Sequence, residues 1–218
     1  MCIRDRVKAV PSIVQSWYLG SIGGDALADV LTGKVSPSGK LPFSYPARLE
    51  DCPAHFYGEM SYPGDSIKVE YKDDILVGYR WYDTRKIKPL FPFGYGLSYT
   101  TYKYSKPVLS SRQMKAGETL SVSVKVKNTG TVAGKETVQL YIGDEKSSLL
   151  RPQKELKGFR KISLQPGEEK DVTFTVTPED LQFFDDSRHE WVVEPGKFKI
   201  YVSSSSADVH NAVEFEYR

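Results

Sequence analysis

Regular alternation of apolar and polar residues in the second half of the chain is the feature that most limits its fold. Successive side chains of a β-strand point to opposite faces, so each alternating run predicts a strand with one buried face. The apolar members of four such runs are Leu120, Val122, Val124 and Val126; Val138, Leu140 and Ile142; Val172, Phe174 and Val176; and Phe198, Ile200 and Val202. Turn-forming residues at 128–130, 165–167 and 194–196 separate the runs. From about residue 106 onward the pattern predicts an antiparallel β-sandwich.

The two cysteines of the chain narrow the kind of sandwich. Cys2 and Cys52 both precede the alternating runs, so no disulfide pins the two sheets together. We therefore predict a mainly β, immunoglobulin/fibronectin III-like antiparallel sandwich without the immunoglobulin disulfide. Two cysteines are also too few for a disulfide framework, and their spacing is not that of a zinc site.

The first part of the chain predicts one strand followed by one helix. An apolar run over residues 13–18 precedes a glycine-rich turn at 20–24, and apolar residues at helical spacing then continue to Gly33. A single strand–helix unit cannot cover both faces of a parallel strand. We therefore expect a remnant of an α/β-sandwich domain, with the rest of its sheet supplied by residues outside this sequence. We also expect that residues 1–6 are a non-native leader and that the natural chain begins earlier.

Residues 34–104 are rich in Pro, Gly and aromatic residues. Clusters at 36–39, 62–64 and 91–94 indicate irregular backbone, while the interleaved Phe, Tyr and Trp are too apolar for a free linker. We call this segment the wrap and predict that it is ordered and packs against other domains.

Charge and hydropathy exclude some classes of partner. The chain has 30 Lys and Arg against 28 Asp and Glu, which gives no single-sign field for nucleic acid or an anionic membrane. No apolar run approaches the roughly 18 residues of a membrane span. We predict no nucleic-acid partner and no membrane partner.

Several motifs in register resemble the C-terminal part of family 3 glycoside hydrolases of the β-glucosidase type. The end of that family's α/β-sandwich domain resembles residues 14–33 and 37–42, and its connecting segment resembles 77–83 and 91–100. Its C-terminal fibronectin-like domain resembles residues 128–136 and 151–159. The resemblance covers essentially everything from Val7 to Arg218.

This resemblance implies a retaining hydrolase of β-glucosides in which the present chain carries no catalytic group. The family takes an Asp nucleophile from an N-terminal barrel and a Glu acid/base from the α/β-sandwich domain, upstream of the position of Trp17. The implied partners are the missing barrel and α/β-sandwich domain and, in the intact protein, the β-glucoside substrate. The resemblance also implies a secreted or periplasmic location.

The acidic residues of the chain agree with that expectation. Retaining hydrolysis needs two carboxyl groups about 5–5.5 Å apart. Adjacent acids occur at residues 73–74, 168–169 and 185–186. Neighbouring side chains on a strand face opposite ways, and paired acids in turns usually face water, so we predict that all three pairs are solvated.

Other candidate groups also have simpler structural interpretations. His55, His189 and His210 are scattered without ligand spacing, and Cys52 has neither a helix start nor a nearby base. The turn at residues 20–24 lacks the Lys and Ser/Thr of a phosphate-binding loop, so a tight packed turn is favoured over an anion site. We predict no catalytic, substrate-binding or metal-ligating residue in this chain, and no cofactor.

The aromatic residues leave two interpretations open. Stacking on sugar rings and buried anchoring are both possible for Trp17, Tyr18, Trp81, Tyr82, Tyr95 and Tyr99. Anchoring is favoured, because aromatics in Pro- and Gly-rich segments must offset the ordering of that backbone. Trp191 is predicted to lie in the core, and the sandwich is not expected to bind polysaccharide but to clamp the α/β-sandwich domain through the wrap.

We divide the chain into residues 1–6 (leader), 7–104 (α/β-sandwich remnant and wrap) and 105–218 (fibronectin type III-like domain). The alternative function is that of a stand-alone, non-catalytic carbohydrate-binding or interaction module.

Overall fold

The computed structural model describes residues 7–218, so the predicted leader and Cys2 lie outside the described residues. The described chain forms a β-sandwich preceded by a long segment with little regular structure. Several residues of that segment contact the sandwich.

Two sheets, antiparallel except for one short strand pair, form the sandwich. In the first sheet, β1 (Tyr102–Tyr104) and β2 (Val108–Leu109) share one edge of β4 (Leu120–Asn128), and β7 (Glu169–Val176) pairs with the other edge. The second sheet contains β3 (Gln113–Met114), β5 (Gly134–Asp144), β6 (Glu155–Leu164), β10 (Gly196–Ser203) and β11 (Val209–Tyr217). Its strand order is β3-β11-β10-β5-β6. The pairing of β3 with β11 is parallel, whereas β5, β6, β10 and β11 pair in antiparallel fashion.

A small hairpin stands apart from both sheets. After α4 (Pro178–Leu181), β8 (Phe183–Asp185) pairs only with β9 (Glu190–Val192) among the described residues. A capping box at Thr177 and Asp180 starts α4, with the Asp180 carboxylate accepting from the Thr177 N–H at 2.8 Å.

The core between the sheets confirms the predicted alternation. All thirteen apolar members of the four predicted runs are buried in one cluster, together with residues of β1, β3 and β11. Val122, Val124 and Val126 alternate with the more exposed Ser123 and Lys125, as period-2 geometry requires. The sequence pattern missed the short strands β1, β2 and β3, the longer strands β6 and β11, and the β8–β9 hairpin.

The predicted N-terminal strand is absent, whereas the helix after it is present. Residues 11–20 carry no strand in the described chain, while α1 spans Gly23–Leu31. A strand needs a neighbouring strand for its hydrogen bonds, and no other described segment pairs with this one. The apolar run at residues 13–18 is therefore unpaired, and Trp17 within it has a left-handed backbone with φ 53°.

The wrap contains two helices that the sequence analysis did not predict. A 3-10 turn (Leu49–Asp51) leads into α2 (Pro53–Phe56), and α3 spans Tyr79–Arg85. Trp81 lies at the centre of the wrap with 0% of its surface exposed, and its Nε1 donates to the Asp51 carbonyl at 3.0 Å. The rings of Phe56 and Tyr57 lie edge-on to it at 5.0 and 5.7 Å. The wrap thus has a small hydrophobic centre of its own.

We expect the sandwich to fold by itself and the preceding segment not to. Because β1 begins at Tyr102, the fragment for this test should span residues 100–218. It should unfold cooperatively in urea and resist limited proteolysis, whereas residues 7–99 should be cleaved rapidly because they lack the surface against which the wrap packs. A protease-resistant N-terminal piece alongside a digested sandwich would contradict the proposed division into domains.

Candidate functional site

The three acidic pairs are separate, and two of them have structural roles. Asp185 is 9% exposed and accepts hydrogen bonds from the Ser187 hydroxyl at 2.6 Å and the Ser187 N–H at 2.9 Å. The hydroxyl bond lowers the pKa of Asp185, which holds the turn between β8 and β9. The prediction that this carboxylate is solvated is therefore wrong. Glu168 caps the β6–β7 turn by accepting from the Gln165 N–H at 2.6 Å, a bond that lowers the pKa of Glu168.

The histidines and Cys52 remain scattered. His210 stacks on the Tyr104 ring at 4.0 Å, His55 lies edge-on to Tyr62 at 4.8 Å, and His189 occupies a left-handed turn position with φ 53°. Cys52 is half-buried and immediately precedes α2, so the statement that no helix starts there is wrong. Among residues 7–218, no group of three or more His, Cys, Asp and Glu side chains is arranged to hold a metal ion.

The glycine-rich turn before α1 is a packed turn. The Gly23 N–H donates to the Gly20 carbonyl at 2.9 Å, and a Cβ on Gly23 would collide with the Leu19 side chain. This close approach supports the structural interpretation of the turn.

The predicted aromatic anchors divide into buried and exposed groups. Trp81 and Tyr82 are 0% and 4% exposed, and Tyr95 is half-buried. Trp17 and Tyr18 are exposed. Trp191 is 64% exposed, so its predicted place in the core is wrong: it lies in the outward face of the hairpin, away from both sheets.

Strand β5 is the element on which the wrap docks. Its inward residues belong to the core, and its other face is also covered, because Gln139 and Tyr141 are only 3% and 0% exposed. The Gln139 amide donates to the carbonyls of Gly94 at 3.2 Å and Ser204 at 2.7 Å, and accepts from the Tyr141 hydroxyl at 2.6 Å. Gly94 has φ +78°, and any Cβ there would collide with the Gln139 amide, so only glycine fits. Residues 138–142 are buried without interruption and are apolar except at Gln139. A nearly continuous apolar run of this kind is the sequence signal for a strand covered on both faces.

A buried ion pair joins α3 to the sandwich. Lys154 Nζ lies 2.6 Å from Asp83 Oδ2, and the two side chains are only 7% and 13% exposed. Burial raises the pKa of Asp83, and the Lys154 ammonium opposes that shift. The same helix contributes the Tyr79 hydroxyl, which accepts from the Leu156 N–H at 2.8 Å.

A series of ion pairs extends this contact toward the hairpin. Arg80 lies 3.2 Å from Glu155, which also pairs with Arg151 at 3.3 Å; Arg151 in turn lies 3.2 Å from Asp144. Arg151 further donates to the Leu181 carbonyl at 3.0 Å. The wrap, β5, β6 and the start of the hairpin are thus tied together by polar contacts that the sequence analysis missed.

The crevice between the wrap and the sandwich is lined by two carboxylates, one buried and one exposed. It has a volume of about 340 Å³, and Lys40, Tyr104, Glu136 and Asp208 are among its lining residues. Glu136 accepts from the Tyr104 hydroxyl at 2.8 Å and lies 3.5 Å from Lys40 Nζ, while Asp208 accepts from the Ser204 hydroxyl at 2.5 Å. Glu136 is therefore a buried internal acceptor, whereas the Asp208 side chain is 63% exposed.

Two family profiles match the chain in the order that the fold shows. Residues 2–99 match the glycosyl hydrolase family 3 C-terminal domain, and residues 136–206 match the fibronectin type III-like domain. The chain is 70% identical over 211 residues to Beta-glucosidase BoGH3A of Bacteroides ovatus. The chain belongs to glycoside hydrolase family 3. The fold agrees: a β-glucosidase structure from Kluyveromyces marxianus, in complex with glucose, superposes with a TM-score of 0.88 at 39% identity and covers 98% of this chain.

The match is confined to the C-terminal part of these family 3 enzymes. The aligned region covers 97% of this chain but 28% of the Bacteroides ovatus relative. For Thermostable beta-glucosidase B of Acetivibrio thermocellus, at 47% identity, the shares are 93% and 26%. The chain covers 25% of the Kluyveromyces marxianus structure. The chain therefore spans about a quarter of the length of its relatives, whose other domains are implied as its partners. No helix among residues 7–218 is long and apolar enough to cross a membrane.

Proposed function

We propose that this chain is the structural, non-catalytic C-terminal part of a retaining glycoside hydrolase that acts on β-glucosides. The observation that carries the proposal is 70% identity, over 97% of the chain, to the C-terminal part of a relative named Beta-glucosidase. On this proposal both catalytic carboxylates belong to the other domains. The engagement of the buried Glu136 and Asp185 carboxylates in internal hydrogen bonds supports it.

The exposed apolar surface indicates where the other domains dock. Of the 28 large hydrophobic residues that are exposed among the described residues, 20 precede residue 105. Tyr18 is 104% exposed, and Ile22 and Leu31, at the two ends of α1, are 73% and 61% exposed. The unpaired run at residues 13–18 lies in the same region, where a neighbouring strand of the α/β-sandwich domain would bury it. This concentration of exposed apolar residues in the first half of the chain favours an interface over a stand-alone module.

A chimera tests the proposed function. The matching C-terminal part of the Bacteroides ovatus relative is replaced by this chain, and release of the chromophore from an aryl β-glucoside is followed. We expect the chimera to turn over within about tenfold of its parent, because 70% identity preserves most interface contacts, while the isolated chain stays at the buffer blank. Hydrolysis by the isolated chain that is abolished by Asp73→Asn or Asp74→Asn would contradict the proposal.

A matched pair of variants checks the docking surface in the same assay. Tyr18→Asp should strongly lower the soluble yield or activity of the chimera, because it would bury an unpaired carboxylate at the interface. Val108→Asp, at a sandwich position that is 67% exposed, should leave both unchanged. Equal effects of the two substitutions would refute the assignment of this surface.

A further inference from the structure

The β8–β9 hairpin presents two aromatic rings to solvent in an ordered way. Its register pairs Phe183 with Val192, Phe184 with Trp191 and Asp185 with Glu190. Phe183 and Asp185 are buried, so the hairpin packs through that face. Phe184 and Trp191 lie opposite each other on the outward face, 43% and 64% exposed, with ring centroids 5.7 Å apart and planes at 68°. Trp191 thus has no packing role in the core of this chain.

Contacts on the buried face and at the turn hold the hairpin in place. The Arg151 guanidinium lies 5.3 Å from the Phe183 ring and donates to the Leu181 carbonyl, and its own side chain is only 8% exposed. At the other end, Asp185 fixes the turn through Ser187 and pairs with Arg188 at 3.3 Å. A platform fixed before binding loses little conformational entropy when a ligand arrives.

We propose that Phe184 and Trp191 form a surface site for a chain of β-linked pyranose units. This inference rests on the proposed function, since it assumes a protein whose substrates are glucosides. The apolar face of a pyranose can stack on an exposed, flat indole ring, while its hydroxyl groups remain available for hydrogen bonds. Arg188, His189 and Glu190 are exposed next to the rings and offer donors and acceptors for those hydroxyls.

The size of the patch favours a sugar over a protein partner. The neighbouring loop, which is joined to the hairpin by the Ser148 N–H bond to Glu194 at 3.0 Å, adds the partly exposed Leu149 and Leu150. Even counted as one patch with the two rings, these side chains would expose only on the order of 400 Å² of apolar surface. A stable protein interface buries about 800 Å² on each partner, roughly twice that area.

Binding to the 218-residue chain tests the site, with cellohexaose and laminarihexaose as probes. The chain has three tryptophans, whose indole N–H signals can be followed separately by NMR. We expect the Trp191 signal to shift on titration while that of the buried Trp81 does not. Trp191→Ala should weaken binding at least tenfold. The control Phe159→Ala removes a ring that is 67% exposed on β6, outside the hairpin, and should change nothing.

Three outcomes would contradict the proposed site. Absence of a Trp191 shift with both probes would do so, as would equal weakening by Phe159→Ala. A Trp191 signal that is silent to sugar but shifts when the remaining domains of the relative are added would identify the hairpin as a contact between domains. The proposed function is judged separately, by the aryl β-glucosidase activity of the chimera, so its failure and the failure of this site can be told apart.

Discussion

Replacing Lys154 by methionine is expected to destabilise the contact between the wrap and the sandwich by about 3–5 kcal/mol at neutral pH. Methionine keeps much of the side-chain volume but leaves the Asp83 carboxylate buried without its cation, which lies 2.6 Å away in the native chain. Losing one partner of a buried pair costs this much because the other charge stays desolvated. Urea unfolding followed by tryptophan fluorescence measures the effect, since Trp81 lies in the same helix as Asp83.

The same variant should show a defined pH dependence. Burial already raises the pKa of Asp83, and removing Lys154 takes away the charge that opposes this shift. An acid with a raised pKa in the folded state binds protons more readily there, so its contribution to stability falls as pH rises through that pKa. The deficit of Lys154→Met should therefore be larger at about pH 8 than at about pH 4.5.

A double-mutant cycle supplies the control for this prediction. Asp83→Asn alone leaves the Lys154 ammonium unpaired and should also destabilise, whereas Asp83→Asn with Lys154→Met removes both charges and should recover part of the loss. A deficit that is independent of pH, or additive losses in the double variant, would contradict the buried-pair interpretation.

Replacing Trp81 by alanine is expected to cost about 3–5 kcal/mol of wrap stability, the usual range for removing a buried Trp ring. The ring is 0% exposed, contacts Phe56 and Tyr57, and lies 4.9 Å from the Arg85 guanidinium. The substitution also leaves the Asp51 carbonyl without its donor. Limited proteolysis should show faster cleavage within residues 49–85, while the sandwich stays resistant.

Two further tryptophan substitutions calibrate that result. Trp81→Phe keeps most of the ring contacts but loses the Nε1 hydrogen bond, so it should cost much less, with about 1 kcal/mol from that bond. Trp17→Ala removes a ring that is 50% exposed and should change wrap stability by less than about 0.5 kcal/mol. If Trp81→Ala and Trp17→Ala behaved alike, Trp81 would not be the anchor of the wrap.

The sandwich was predictable because its strands obey a two-residue period. Over residues 120–126 of β4 and 172–176 of β7 every second residue is apolar and buried, so these stretches and their inward faces follow from sequence alone. Strand β6 was not predicted, because its Arg and Lys residues break the alternation of apolar and polar residues. Its position is set by pairing with β5. The family motifs added the order of domains, which the comparisons confirm.

The polar contacts between the wrap and the sandwich could not be predicted from the local sequence pattern. Asp83 and Lys154 are 71 residues apart, and nothing near either of them indicates the other. Glu136 did carry a signal, because it shares the inward phase of Val138 and Leu140 in β5. The prediction for Trp191 failed because the sequence pattern indicated no strand at residues 183–192 and therefore no separate hairpin to carry this ring.

The docking of the wrap on β5 and β6 also has a consequence for the order of events during synthesis. The wrap contacts residues that follow it by a long interval: the Ser38 carbonyl accepts from Lys161, 123 positions later. At about 5–20 residues per second, Ser38 leaves the ribosome roughly 6–25 s before its partner does. In that interval the aromatic residues of the wrap have no sheet to cover them. We therefore expect nascent chains halted before β6 to be the forms most dependent on chaperones.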